Sequence, residues 1–90
     1  MNETKETCKA IADLCQNSGS LDWAKTFYYF MDDVEQGEWS VIKRKILKVY
    51  GGMGSFNDLV LHKDNSPLGK ENNELDELRK KLYKEVTDNW

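Results

Sequence analysis

Long apolar runs are missing from this chain of 90 residues: nothing in it approaches the ~18 consecutive apolar residues that a membrane-spanning helix needs. Its first ten residues, MNETKETCKA, hold neither a basic start nor an apolar stretch of the kind that a secretion signal carries, so a cytoplasmic location is expected. Histidine occurs once, at His62, and cysteine twice, with no C-x-x-C; a zinc site therefore lacks ligands at any familiar spacing, and neither metal nor cofactor is expected. Cys8 and Cys15 stand seven apart in a helix-like stretch. That puts their α-carbons about 10 Å from each other on one face, beyond the roughly 4.4–6.8 Å of a disulfide, and predicts reduced thiols used for packing. Positive charge is not in excess either: 13 Lys and Arg against 16 Asp and Glu leave a net −3. The balance argues against a nucleic-acid binder and mildly for a basic partner.

What remains is an ordinary globular composition, 39% hydrophobic and 32% charged. Ninety residues make a single domain, 1–90, that buries only about 60–65% of its unfolded surface. The apolar positions are spaced by three and four, with no convincing alternation of period two. Cys8, Ile11, Ala12, Leu14 and Cys15 mark a first helix that Asn17, Ser18 and Gly19 end. Ser20 is placed to cap a second, greasier helix in which Trp23, Ala24, Phe27, Phe30, Met31 and Val34 share a broad face, with Gly37 as its stop. Trp39, Ile42, Ile46 and Val49 define a third, with Lys43, Arg44, Lys45 and Lys48 on its remaining surface.

The stretch VYGGMGSFNDLVLH, 49–62, departs most from this pattern. Gly51 and Gly52 stand where a left-handed residue would close a helix end, and Ser55 with Asp58 has the spacing of a capping box. It reads as a tight corner, followed by a short helical piece containing Phe56, Leu59, Val60 and Leu61. Residues 63–70, with Asp64, Asn65, Ser66, Pro67 and Gly69, read as a flexible loop. A last helix is expected from Asn72 or Asn73 to about Asp88, with Leu75, Leu78, Leu82, Val86 and Trp90 on one stripe and Asp76–Lys80 and Glu77–Lys81 as supporting pairs. The fold class is all-α, a compact bundle of four longer helices plus one short helix after the Gly-Gly-Met-Gly corner.

The string YGGMGSFNDLVLH, with Trp39, Ile42 and Ile46 before it and Asn73, Glu74, Leu75, Leu82 and Tyr83 after it, resembles the signature of a family of small, mostly bacterial proteins with no assigned activity. The resemblance covers roughly the C-terminal two-thirds of the chain, and residues 1–37 carry no part of it. It implies a compact helical domain, found in some genomes beside polymorphic toxin genes, where small acidic proteins commonly serve as immunity proteins. No catalytic residue comes with it.

Several constellations have a functional and a structural reading. Gly51 to Gly54 lie before a helix start and could cradle an anion, but the Gly-Lys-Ser/Thr ending of a phosphate loop is missing, and a helix-helix corner is the simpler reading. His62 could act as a base oriented by Asp58, yet no nucleophile is placed beside them; a histidine meeting a helix end is favoured, and no catalytic residue is assigned. The basic run 43–48 could contact nucleic acid, or simply be a solvated face.

The acidic cluster Asp32, Asp33, Glu35 and Glu38 is the less easily dismissed, because carboxylates at a helix C-terminus oppose the dipole there. An internal partner is available if the hairpin brings Lys43 and Arg44 alongside Asp32 and Asp33. An external one would be a basic protein surface such as the cleft of a nuclease toxin. The expectation is a non-catalytic protein-binding domain of the contact-dependent growth inhibition immunity type. It would neutralise a cognate protein toxin through Asp32, Asp33, Glu35 and Glu38, with Tyr28, Tyr29 and Trp39 as aromatic anchors. The alternative is a nucleic-acid-binding regulator using residues 43–48; no membrane partner is expected, and the oligomeric state stays open.

Overall fold

Four helices carry most of the chain in the computed structural model, which describes residues 2–51, 55–63 and 66–88. They are α1 (Asn2–Asn17), α2 (Leu21–Gln36), α3 (Trp39–Lys48) and α4 (Gly69–Asp88). Between α3 and α4 lie a 3-10 turn, Phe56–Asp58, and a two-stranded antiparallel hairpin of β1 (His62–Lys63) and β2 (Ser66–Pro67). The expectations placed on Gly52, Met53, Gly54, Asp64, Asn65 and Trp90 lie outside the described residues. The radius of gyration, 12.6 Å, is that of a compact chain of this length.

The helix stripes become the core directly. Cys8, Ile11, Ala12 and Cys15 of α1, Ala24, Phe27, Phe30 and Val34 of α2, Ile42 and Ile46 of α3, and Leu75, Leu82 and Val86 of α4 are buried. The most extensive interface is α1 along α2, followed by α1 against α4. Gly19 and Gly37 both take positive φ, 81° and 79°. At Gly19 the chain closes α1 as a Schellman motif, the Ser20 amide donating to the Cys15 carbonyl at 2.8 Å and the Gly19 amide to the Gln16 carbonyl at 3.3 Å. At Gly37 the amide donates to the carbonyls of Asp33 and Val34.

Several local expectations are corrected. Gly51 is not among the positive-φ glycines; α3 instead tightens, the amides of Val49, Tyr50 and Gly51 donating to the carbonyls of Ile46, Leu47 and Lys48, three residues back. The side chains of Ser20 and Ser55 do not cap the helices they precede. The segment 63–70 is not one loop, because β1 pairs His62 with Pro67 and Lys63 with Ser66, and α4 begins at Gly69, three residues earlier than its apolar stripe suggests. Asp76 pairs with Arg79 and not with Lys80. Glu77 and Lys81 make no ion pair among the described residues.

One side chain opposes the packing. Glu85 of α4 is 93% buried, and neither carboxylate oxygen has a hydrogen-bond partner among the described residues. A desolvated polar group without a partner costs about 1–3 kcal/mol, more when charged. Glu85→Met keeps the length and removes the orphaned oxygens, so its urea midpoint is expected above that of the parent, by about 1–3 kcal/mol of stability; a lower midpoint would show that Glu85 is stabilised in a way its contacts do not reveal.

Candidate functional site

The corner is built around Phe56, which is fully buried. Its ring lies 4.6 Å from that of Phe27 and 5.5 Å from those of Trp23 and Tyr50, centroid to centroid. Arg79 of α4 completes the arrangement: its guanidinium stands 5.6 Å from the Phe56 ring centroid. Its Nη1 donates to the carbonyls of Phe56, Asn57 and Leu59 at 2.7, 3.2 and 3.1 Å, and Nη2 pairs with Asp76. The Phe56 carbonyl also accepts the Leu59 amide at 3.3 Å, so one planar cation adds to the turn's own bond and gives the Asn57 and Leu59 carbonyls a donor. Tyr50 donates to the Arg79 carbonyl at 2.7 Å, and the Asn57 amide to the Tyr50 carbonyl at 2.8 Å. Farther along, Asn72 acts as a strand edge for Leu61, accepting its amide proton at 2.7 Å and donating to its carbonyl at 3.0 Å.

The conspicuous string thus serves folding wherever it is described. A groove of about 770 Å³ opens beside it, lined among others by Tyr50, Asn57, Asp76, Arg79, Lys80 and Tyr83. Most of its polar lining is already committed to the contacts just given. His62 is exposed in β1, not at a helix end, and Asp58 is exposed in the 3-10 turn; neither lines this groove. Among the described residues no group of three or more His, Cys, Asp or Glu could hold a metal ion. Likewise, no helix there is long and apolar enough to cross a membrane.

Helical geometry separates the acidic residues that lie close in sequence. Asp33 points toward α3, where Lys45 stands 3.4 Å away, in place of the expected Lys43 and Arg44. Glu35 points toward α1 and pairs with Lys5. Asp32 faces outward and Glu38 follows the helix end; both are exposed, and neither makes an ion pair among the described residues. The aromatic residues divide in the same way. Tyr29 is 57% exposed, Tyr28 is half-buried, and Trp39 is half-buried against the core and so is no free anchor. The Tyr28 hydroxyl donates to Asp13 at 2.5 Å, which raises the phenol above its ordinary value. Asp13 is held below the usual carboxylate range by Lys9 first and by Tyr28 second.

Sequence reasoning passed over the neighbours of these residues on the outer face of α2. Leu21 is 64% exposed, and Lys25 lies 5.9 Å from the centroid of the Tyr29 ring. With Tyr28, Asp32 and Gln16 of α1 they line a shallow groove of about 270 Å³. The signal was the spacing of Leu21, Lys25, Tyr28 and Asp32 by four, three and four, a second helical stripe beside the core stripe. On α3, Arg44, Lys45 and Lys48 are exposed and Lys43 half-buried, with Lys45 held by Asp33.

Cys8 and Cys15 are free thiols in the core. Burial pushes Cys8 up to about 12 and Cys15 up to about 11. The unfolded thiols ionise near 9, so as pH rises from there toward 11–12 the unfolded state gives up protons that the fold retains, and stability falls. Thiol reagent at pH 8 is expected to label neither cysteine until denaturant is added; rapid labelling of the folded protein would contradict their placement.

The chain belongs to the family described as a domain of unknown function (DUF6966), whose model matches residues 16–69. That match begins well upstream of the stretch on which the resemblance rested, taking in α2, and ends as α4 begins. No curated protein and no solved structure matches the chain.

Proposed function

We propose that this member of the family is a small non-catalytic protein-binding domain of the immunity type, which neutralises a cognate toxin in the cytoplasm by docking the far end of α2 against a basic surface. The observation that carries this reading is the pair of exposed carboxylates, Asp32 and Glu38, left without a cation among the described residues, with the exposed Tyr29 ring one turn from Asp32. Unpaired surface charge of one sign steers a partner of the other, and an exposed aromatic supplies contact area at small entropic cost. Asp33 and Glu35 are less available to a partner, since Lys45 and Lys5 already hold them. The resemblance to a family of no assigned activity, some of whose genes lie beside polymorphic toxin genes, supports the choice of a toxin as partner. The nucleic-acid alternative has less to stand on: with Lys45 held by Asp33, Arg44 and Lys48 remain as its exposed cations on α3.

Copurification of the tagged chain from its native host is expected to bring down a protein with a basic binding face. Asp32→Lys with Glu38→Lys should then weaken capture about tenfold or more and make the association rate less dependent on salt. Unchanged affinity would remove this surface, and a gel shift with random duplex at low salt would favour the basic face of α3 instead.

A further inference from the structure

The outer face of α2 carries charge of both signs in an order that fits itself. Lys25 and Asp32 are two turns apart on one stripe, too far apart to pair within the helix, and neither has an ion-pair partner elsewhere among the described residues. Tyr28 and Tyr29 lie midway between them, and Leu21 and Gln36 lie at equal distances beyond. We propose that this face is a two-fold interface with a second copy of the chain, the two α2 helices running antiparallel across an axis that passes between Tyr28 and Tyr29. In that arrangement Lys25 meets the partner subunit's Asp32 and Asp32 meets the partner subunit's Lys25. Leu21 faces the partner subunit's Gln36, and the tyrosines close the centre. An isologous contact requires each charge to meet its opposite across one axis, and the Lys25 and Asp32 pair meets that requirement.

The contact also covers what is otherwise costly to leave in water. Leu21, 64% exposed, and Tyr29, 57% exposed, are the two most exposed large hydrophobic residues described, and both lie on this stripe. The Tyr28 ring is held in place by its hydroxyl's bond to Asp13, so the centre of the contact is ordered before association. Exposed ion pairs contribute little each, which makes this a concentration-dependent dimer and not an obligate one. Self-pairing covers Asp32 and Tyr29 and therefore competes with capture of a basic partner, whereas Glu38 lies outside the paired stripe; Glu38→Lys alone affects capture and leaves the dimer unchanged.

Sedimentation equilibrium over a concentration series tests the proposal. The parent's average mass should rise from 10.5 kDa toward twice that value. Lys25→Glu and Asp32→Lys, each at an exposed site and checked for helicity, should each weaken self-association about tenfold or more, because like charges then meet at both ends of the contact. Mixing the two variants should restore association, since each charge then faces its opposite across the axis. A parent that stays monomeric throughout, a dimer that neither substitution affects, or a mixture that associates no better than its components would each overturn it.

Discussion

One guanidinium holds the least regular part of this fold. Arg79 projects from α4 into the turn that follows α3, satisfies the carbonyls of Phe56, Asn57 and Leu59, and lies against the Phe56 ring. Without it the Asn57 and Leu59 carbonyls would lose the donor that reaches them from α4, and the Phe56 carbonyl would keep only the Leu59 amide. Its charge is offset by Asp76 one turn away, so the arrangement brings its own counter-ion. Everything downstream takes its place from this contact: Phe56 is seated between Trp23, Phe27 and Tyr50, Leu61 reaches the core, and Asn72 receives the Leu61 backbone as a strand would.

The consequence for function is a division of labour along the sequence. The string 49–62 is the most distinctive in the chain, but where described its residues are occupied in joining α3 to α4. The outer face of α2 is ordinary in sequence, yet it presents exposed Leu21, Tyr29 and Asp32, of which neither Tyr29 nor Asp32 makes a side-chain hydrogen bond or ion pair among the described residues. The distinctive motif and the proposed binding surface are therefore different places in this molecule. The family model covers the corner and α2 together, while Asn72 and Arg79, which hold the corner, lie beyond its end.

Much of the fold was legible because helix spacing reports burial directly. Cys8, Ile11, Phe27, Ile42, Ile46, Leu75 and Leu82 follow periods of three and four, and all are buried. The hairpin was not legible, since two strands of two residues are too short to show a period, and Pro67 and Gly69 look like a loop whether or not Ser66 pairs with Lys63. Nor was the role of Arg79, because a side chain that satisfies backbone carbonyls twenty residues away leaves no mark on local spacing. The acidic cluster was legible as composition only. Adjacent residues on a helix point 100° apart, so four neighbouring carboxylates became two internal pairs, one outward group and one beyond the helix end.

The central claim is that the turn from Phe56 to Leu61 is part of the folding unit and not a mobile functional loop. Native-state amide hydrogen exchange measures this most directly, through the amides of Phe56 and Leu61, which donate to the Val49 carbonyl and the Asn72 side chain. If the claim holds, both exchange with the same opening free energy as core amides of α1 and α2, that of global unfolding. Exchange of both through a low-energy local opening, while those helices stay protected, would contradict it.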